Sequence, residues 1–103
     1  MYIARFSYDL LPSNRQKGIE FIRREVKAAR DKGLNARLLI PITRAHDGHA
    51  LQFELELKGL DQLDQFRQRG VESDRSTGEW MHAFSEILLA PPVVEILRIG
   101  DDA

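Results

Sequence analysis

Three sets of side chains in this 103-residue sequence have types and spacings that could do chemistry. The first is aromatic with a polar component. Phe6 and Tyr8 share one side of an alternating N-terminal run, Phe53 lies on a second such run, and Trp80, His82 and Phe84 fall on a helical stretch near the C-terminus. Small-molecule pockets are mostly apolar with a few polar groups, so Phe6, Tyr8, Phe53, Trp80, His82 and Phe84 are the candidate ligand-binding residues. The Tyr8 hydroxyl and His82 imidazole would be the groups able to orient a ligand or move a proton. Trp80 and His82 stand only two apart, about 200° around a helix, and so point to nearly opposite sides. The plainer reading of the stripe is packed core, since aromatics at helical spacing pack on one another. Both readings hold if the core encloses a cavity.

The second set is His46-x-x-His49, flanking Asp47-Gly48. A zinc site needs three or four converging ligands, and no third ligand is identifiable. Two solvated turn histidines and no metal are expected. The third set is charged: Arg5, Arg37, Glu54 and Glu56 all fall on the strand faces opposite the apolar ones. They form either a solvated surface or the contact face of a sheet-to-sheet dimer, in which Arg5 and Arg37 meet Glu54 or Glu56, within one chain or across two. The chain shows no nucleophile elbow, phosphate-binding glycine loop or GxGxxG string.

Composition narrows the function classes. Fifteen basic and sixteen acidic residues leave a formal charge of −1, unlike the strongly basic balance of a domain that grips nucleic acid. With no cysteine, a disulfide scaffold, a thiolate-held metal and a cysteine nucleophile are excluded. No apolar run is long enough to span a bilayer, and Met1–Phe6 alternates instead of following the basic-then-apolar layout of a signal peptide. One domain over residues 1–103, soluble and cytoplasmic, is expected. The near-zero total hides an asymmetry: Ser13–Gly33 carries seven basic and three acidic residues, Asp47–Glu79 four and eight.

The elements that must position these residues follow from periodicity. Tyr2–Leu10 alternates as a strand, with Tyr2, Ala4, Phe6, Tyr8 and Leu10 on one face. Pro12 ends it, and Ser13 or Asn14 can cap a helix over Asn14–Lys32 whose buried stripe is Ile19, Ile22, Val26 and Ala29. Gly33 suits a left-handed helix end. Gly18, inside that helix, costs about 1 kcal/mol relative to alanine, which close packing on a sheet would explain. Asn35–Thr43 and Leu51–Lys58 alternate as two strands about an Asp47-Gly48 turn, with Ala36, Leu38, Ile40 and Ile42 inward on the first. Pro41 assigns that strand to a sheet edge. A short helix over Leu60–Arg69 and a second begun by a Ser76–Glu79 capping box are separated by a polar loop. Pro91-Pro92 stops the second helix, and Val93–Ile99 is a last strand whose inward face the pattern leaves open.

The order is thus βαββαβ with the second helix split, a ferredoxin-like α+β fold. Right-handed crossovers lead to an antiparallel sheet of order 4-1-3-2. Its open face carries Arg5, Ser7, Gln52, Glu54 and Glu56 in place of the stacking aromatics of an RNA-binding sheet; no nucleic-acid partner is expected.

This element order, the helix broken at a polar loop, and the string Gly78-Glu79-Trp80-Met81-His82-Ala83-Phe84 leading to Val94–Ile99 resemble the dimeric α+β barrel superfamily. Within it the chain is most similar to small NIPSNAP-like and antibiotic-biosynthesis-monooxygenase-like proteins. The resemblance implies a homodimer whose two sheets close into a barrel, with a ligand cavity between sheet and helices in each protomer; no cofactor is expected for this chain. Haem-degrading relatives use a first-strand asparagine with a tryptophan and a histidine, and this first strand offers Ser7 instead. Three functions follow as expectations: binding of a small apolar molecule, cofactor-independent monooxygenase or isomerase activity on one, or dimerisation without a ligand.

Overall fold

The computed structural model describes residues 1–43, 50–62 and 83–101. Four strands, β1 (Tyr2–Tyr8), β2 (Asn35–Leu39), β3 (Leu51–Leu57) and β4 (Val93–Arg98), form one sheet in the order β2-β3-β1-β4. All neighbouring pairs are antiparallel. This is the ferredoxin-like order expected from the crossovers, with β2 and β4 at the edges. Helix α1 (Arg15–Asp31) follows a 3-10 turn at Pro12–Asn14. Residues 60–62 and 83–86 are helical; the polar loop between them, with the helix break, lies outside the described residues.

The periodicities produce the expected layers. Helix α1 buries Ile19, Ile22, Val26 and Ala29 against Leu51, Phe53, Leu55 and Leu57 of β3 and Ala4 and Tyr8 of β1. Each such large side chain contributes about 1.5–3 kcal/mol when fully removed from water. Gly18 is buried in this contact: a Cβ there would stand 2.9 Å from Leu51 Cδ1 and 3.1 Å from Leu10 Cδ2. Its helix-propensity cost is therefore exchanged for close approach of α1 to the sheet. Gly33, at φ +83°, closes α1. Its N–H donates to Arg30 O and the Leu34 N–H to Ala29 O, at 2.9 and 3.0 Å, the paired bonds of a Schellman end.

Several boundaries differ from the sequence expectation. Strand β2 stops at Leu39, four residues short of Thr43, so Ile40 and Ile42 are not core; they are 37% and 91% exposed. Pro41 has no N–H for a ladder and also biases the residue before it. The regular part of β1 ends at Tyr8, and Leu10 instead makes an isolated bridge to Leu88, with Leu89 N–H donating to Asp9 O at 2.9 Å. That pairing withdraws Leu88 and Leu89 from the last helix, which the sequence carries to Pro91. Neither Ser13 nor Asn14 caps α1 through its side chain, and Leu60 is exposed. The open question about β4 is resolved by register. Phe6 pairs with Val94, Ala4 with Ile96 and Tyr2 with Arg98, so Val94, Ile96 and Arg98 share the helix-side face.

Candidate functional site

Between the sheet and α1 lies a cavity of about 380 Å³ with largely apolar walls. Its floor is Phe6 and Tyr8 of β1 and Phe53 of β3. One wall is Ile22 and Glu25 of α1, and the other is the 84–94 segment through Phe84, Ser85, Leu88, Pro92 and Val94. The volume is within the range of small-molecule pockets. Ring contacts hold the walls: Tyr8 and Phe84 have centroids 5.0 Å apart, Phe84 stacks on Phe21 at 5.1 Å, and Phe6 meets Phe53 at 5.7 Å. The Leu10–Leu88 bridge, which shortened the last helix, is what brings the 84–94 segment over β1.

Of the six ligand-binding candidates, the structure brings together Phe6, Tyr8, Phe53 and Phe84. Trp80 and His82 lie outside the described residues, as do His46 and His49. Sequence reasoning missed Glu25, counting it only among the charges of the basic helix. The signal was present: Glu25 follows Ile22 by three residues, about 60° from it around the helix, on the flank of the buried stripe.

The two ionisable groups that line the cavity among the described residues are both perturbed. Tyr8 is 9% exposed, and burial, then the nearby Glu25 charge, push its hydroxyl well above the ordinary phenol range. Tyr8 therefore stays protonated and acts as a donor. Burial also raises the Glu25 carboxyl, an effect that Lys32 partly opposes. Among the described residues neither the Tyr8 hydroxyl nor the Glu25 carboxylate has a side-chain hydrogen bond or ion pair. Buried polar groups are normally paired, so a donor and an acceptor facing one apolar volume constitute binding capacity.

The opposite sheet face carries the charged set. Register places Glu54 directly across from Arg5 on one side and Arg37 on the other. Arg5 Nε donates to Glu54 Oε2 at 2.6 Å, and Arg37 Nε and Nη2 donate to Oε1 at 3.0 and 2.7 Å. The two guanidiniums cover the carboxylate, which is 3% exposed. Burial pushes the Glu54 carboxyl up, but the hydrogen bonds from Arg37 and Arg5 and their charges outweigh it and hold the group below the ordinary carboxylate range. Glu56 instead accepts from Asn35 Nδ2 at 2.7 Å, and Gln52 donates to Ser7 at 3.2 Å. The network is thus formed within one chain. A third region, an open groove between α1 and β2, is lined by Arg23, Lys27, Arg30, Asp31 and Arg37, the exterior of the basic helix. No cluster of three or more metal-ligating side chains occurs among the described residues, nor does any helix there have the length and apolarity to cross a membrane.

Comparison with solved structures decides the fold. A NIPSNAP domain protein from Burkholderia xenovorans superposes with a TM-score of 0.76 at 10% identity, covering 100% of this chain and 98% of its own. The chain has a ferredoxin-like α+β fold. A NIPSNAP family protein from Agrobacterium tumefaciens has a TM-score of 0.74 at 17% identity, over 99% of this chain and 88% of its own. A protein described as an antibiotic biosynthesis monooxygenase has 0.70 at 13%, over 96% and 98%. The ferredoxin-like α+β fold expected from the element order is thus shared with both groups of solved structures. No protein-family model matches the sequence, and neither does any curated protein.

Proposed function

We propose that this chain binds a small, mostly apolar molecule in the cavity between α1 and the sheet, and that it does so as a cytoplasmic homodimer. The observation that carries the reading is the cavity itself: about 380 Å³ of largely apolar space beside the buried Tyr8, Ile22, Phe53 and Phe84 of the core. A domain serving only to dimerise would gain stability by filling that volume, since unfilled apolar space forfeits packing contacts. The dimer is supported by the apolar Val93, exposed on the open face at β4, beside ion pairs that are already satisfied within the chain.

Titration with N-phenyl-1-naphthylamine, a neutral apolar fluorophore, tests the reading. Saturable enhancement at one probe per chain is expected, with loss in Val94→Trp, whose added indole occupies the cavity from an edge-strand position. Absence of saturable binding, or unchanged binding in Val94→Trp, would remove the ligand reading and leave the dimerisation module. Sedimentation checks the assembly: twice the 11.8 kDa chain mass is expected at micromolar concentration, and a clean monomer contradicts it.

The second reading, an enzyme acting on the bound molecule without a cofactor, is favoured by one observation. The cavity contains a donor, Tyr8, and a carboxylate, Glu25, neither with a side-chain hydrogen bond or ion pair among the described residues.

A further inference from the structure

The Tyr8–Glu25 pair is more specific than an apolar site requires. A pocket evolved only to hold hydrocarbon would gain from replacing both groups, because a buried hydroxyl without a partner costs about 1–3 kcal/mol. Tyr8 reaches the cavity from the centre of the sheet, on β1, and Glu25 from the middle of α1. They therefore approach the volume from two layers. The aromatic floor and Phe84 leave a space suited to a flat apolar body, and among the described residues no other carboxyl lines it.

We propose that Glu25 and Tyr8 are a proton-transfer pair acting on an apolar carbonyl compound with an acidic C–H beside its carbonyl. The inference rests on the cavity being a ligand site. In the step, a Glu25 carboxylate oxygen takes the proton from the carbon next to the carbonyl. That C–H bond breaks, and its electron pair becomes the C=C bond of an enolate. The carbonyl π pair moves onto oxygen, where the Tyr8 O–H donates a hydrogen bond to the developing charge. Return of the proton from Glu25 to the same carbon regenerates the ketone; return to a conjugated carbon isomerises it. Atoms and electrons balance without oxidant, reductant or metal. The environment suits the roles: burial strengthens Glu25 as a base and keeps Tyr8 in its donor form, the division of labour between two groups whose surroundings separate their acidities.

The test uses 2-tetralone, a flat bicyclic ketone with exchangeable C–H groups, in D₂O. Binding is read from protein methyl shifts and catalysis from loss of the ketone's proton signals. The intact protein should accelerate deuterium incorporation above the buffer rate, and naphthalene, competing for the cavity, should abolish the acceleration. Glu25→Gln should retain binding and lose the acceleration about 100-fold, and Tyr8→Phe should do likewise to a similar extent. Binding without acceleration, acceleration that survives naphthalene, or a Glu25→Gln protein as active as the parent would each overturn the proton-transfer pair while leaving the ligand cavity intact. Failure of 2-tetralone to bind at millimolar concentration, with naphthalene also failing, would overturn the cavity reading and the pair with it.

Discussion

Replacing Glu54 with glutamine isolates the charge network of the open face. Glutamine keeps the shape and one acceptor oxygen but removes the charge that three N–H groups of Arg5 and Arg37 address. Hydrogen bonds to a charged group are worth about 1.5–3 kcal/mol each in a buried setting. Here the arginine side chains are 31% and 57% exposed, so both can recover water in the variant and the loss is discounted accordingly. A net destabilisation of about 2 kcal/mol is the result, equivalent to about 10 °C in Tm for a domain of this size. The pH dependence has a definite sign. The folded carboxyl lies below its ordinary value of 4.5, so the native state holds fewer protons than the unfolded chain through that interval. Its stabilisation is therefore complete above the ordinary value and disappears as pH falls through the folded one. Thermal and urea unfolding of both proteins, at one protein concentration and across the acid range, should show the difference near neutrality and its collapse in acid. A difference under about 0.5 kcal/mol at neutral pH, or one independent of pH, would show that the Glu54 charge does not stabilise the sheet.

Three further outcomes follow from the other contacts. Glu25→Gln should raise Tm near neutral pH and have no effect well below the ordinary carboxylate pKa. Because burial raises the folded carboxyl, its contribution is intact at low pH and lost as pH rises through the folded value; a Tm gain that persists in strong acid would contradict this. Phe84→Ala removes the ring shared by Tyr8 and Phe21 and should cost about 3 kcal/mol in urea unfolding, with weaker binding of the naphthylamine probe. Gly18→Ala should gain nothing in thermal unfolding: about 1 kcal/mol of helix propensity is offset by about 1–3 kcal/mol of overpacking against the buried Leu10 and Leu51. A clear rise in Tm would show that those leucines yield freely.

The fold could be read from the sequence because its strongest signals are local and mutually consistent. Alternation in β1 and β3, the Ile19–Ala29 stripe and the Gly33 helix end each specify a face or a boundary, and right-handed crossovers then leave one sheet order. Reading failed where tertiary pairing outweighed the local pattern. Ile40 and Ile42 alternate correctly with Ala36 and Leu38, yet Pro41 ends the ladder before them. Leu88 has helical spacing, yet it bridges to Leu10. The ambiguity of β4 had the same root, since an edge strand with valine or isoleucine on both faces is oriented only by its partner. At the site, Phe6, Tyr8, Phe53 and Phe84 were readable as an apolar set, whereas Glu25 was masked by the basic residues around it. A carboxylate on the rim of a buried stripe differs from a surface one only by its angle.

The space between α1 and the sheet is proposed to receive a small apolar molecule. Methyl-resolved NMR during titration with naphthalene tests it most directly. The methyl signals of Ile22, Leu88 and Val94, which line the cavity, should shift together and saturate at one ligand per chain, while those of exposed Leu11 and Ile42 stay in place. Saturable shifts absent from the three lining residues, or of equal size at Ile42, would contradict it.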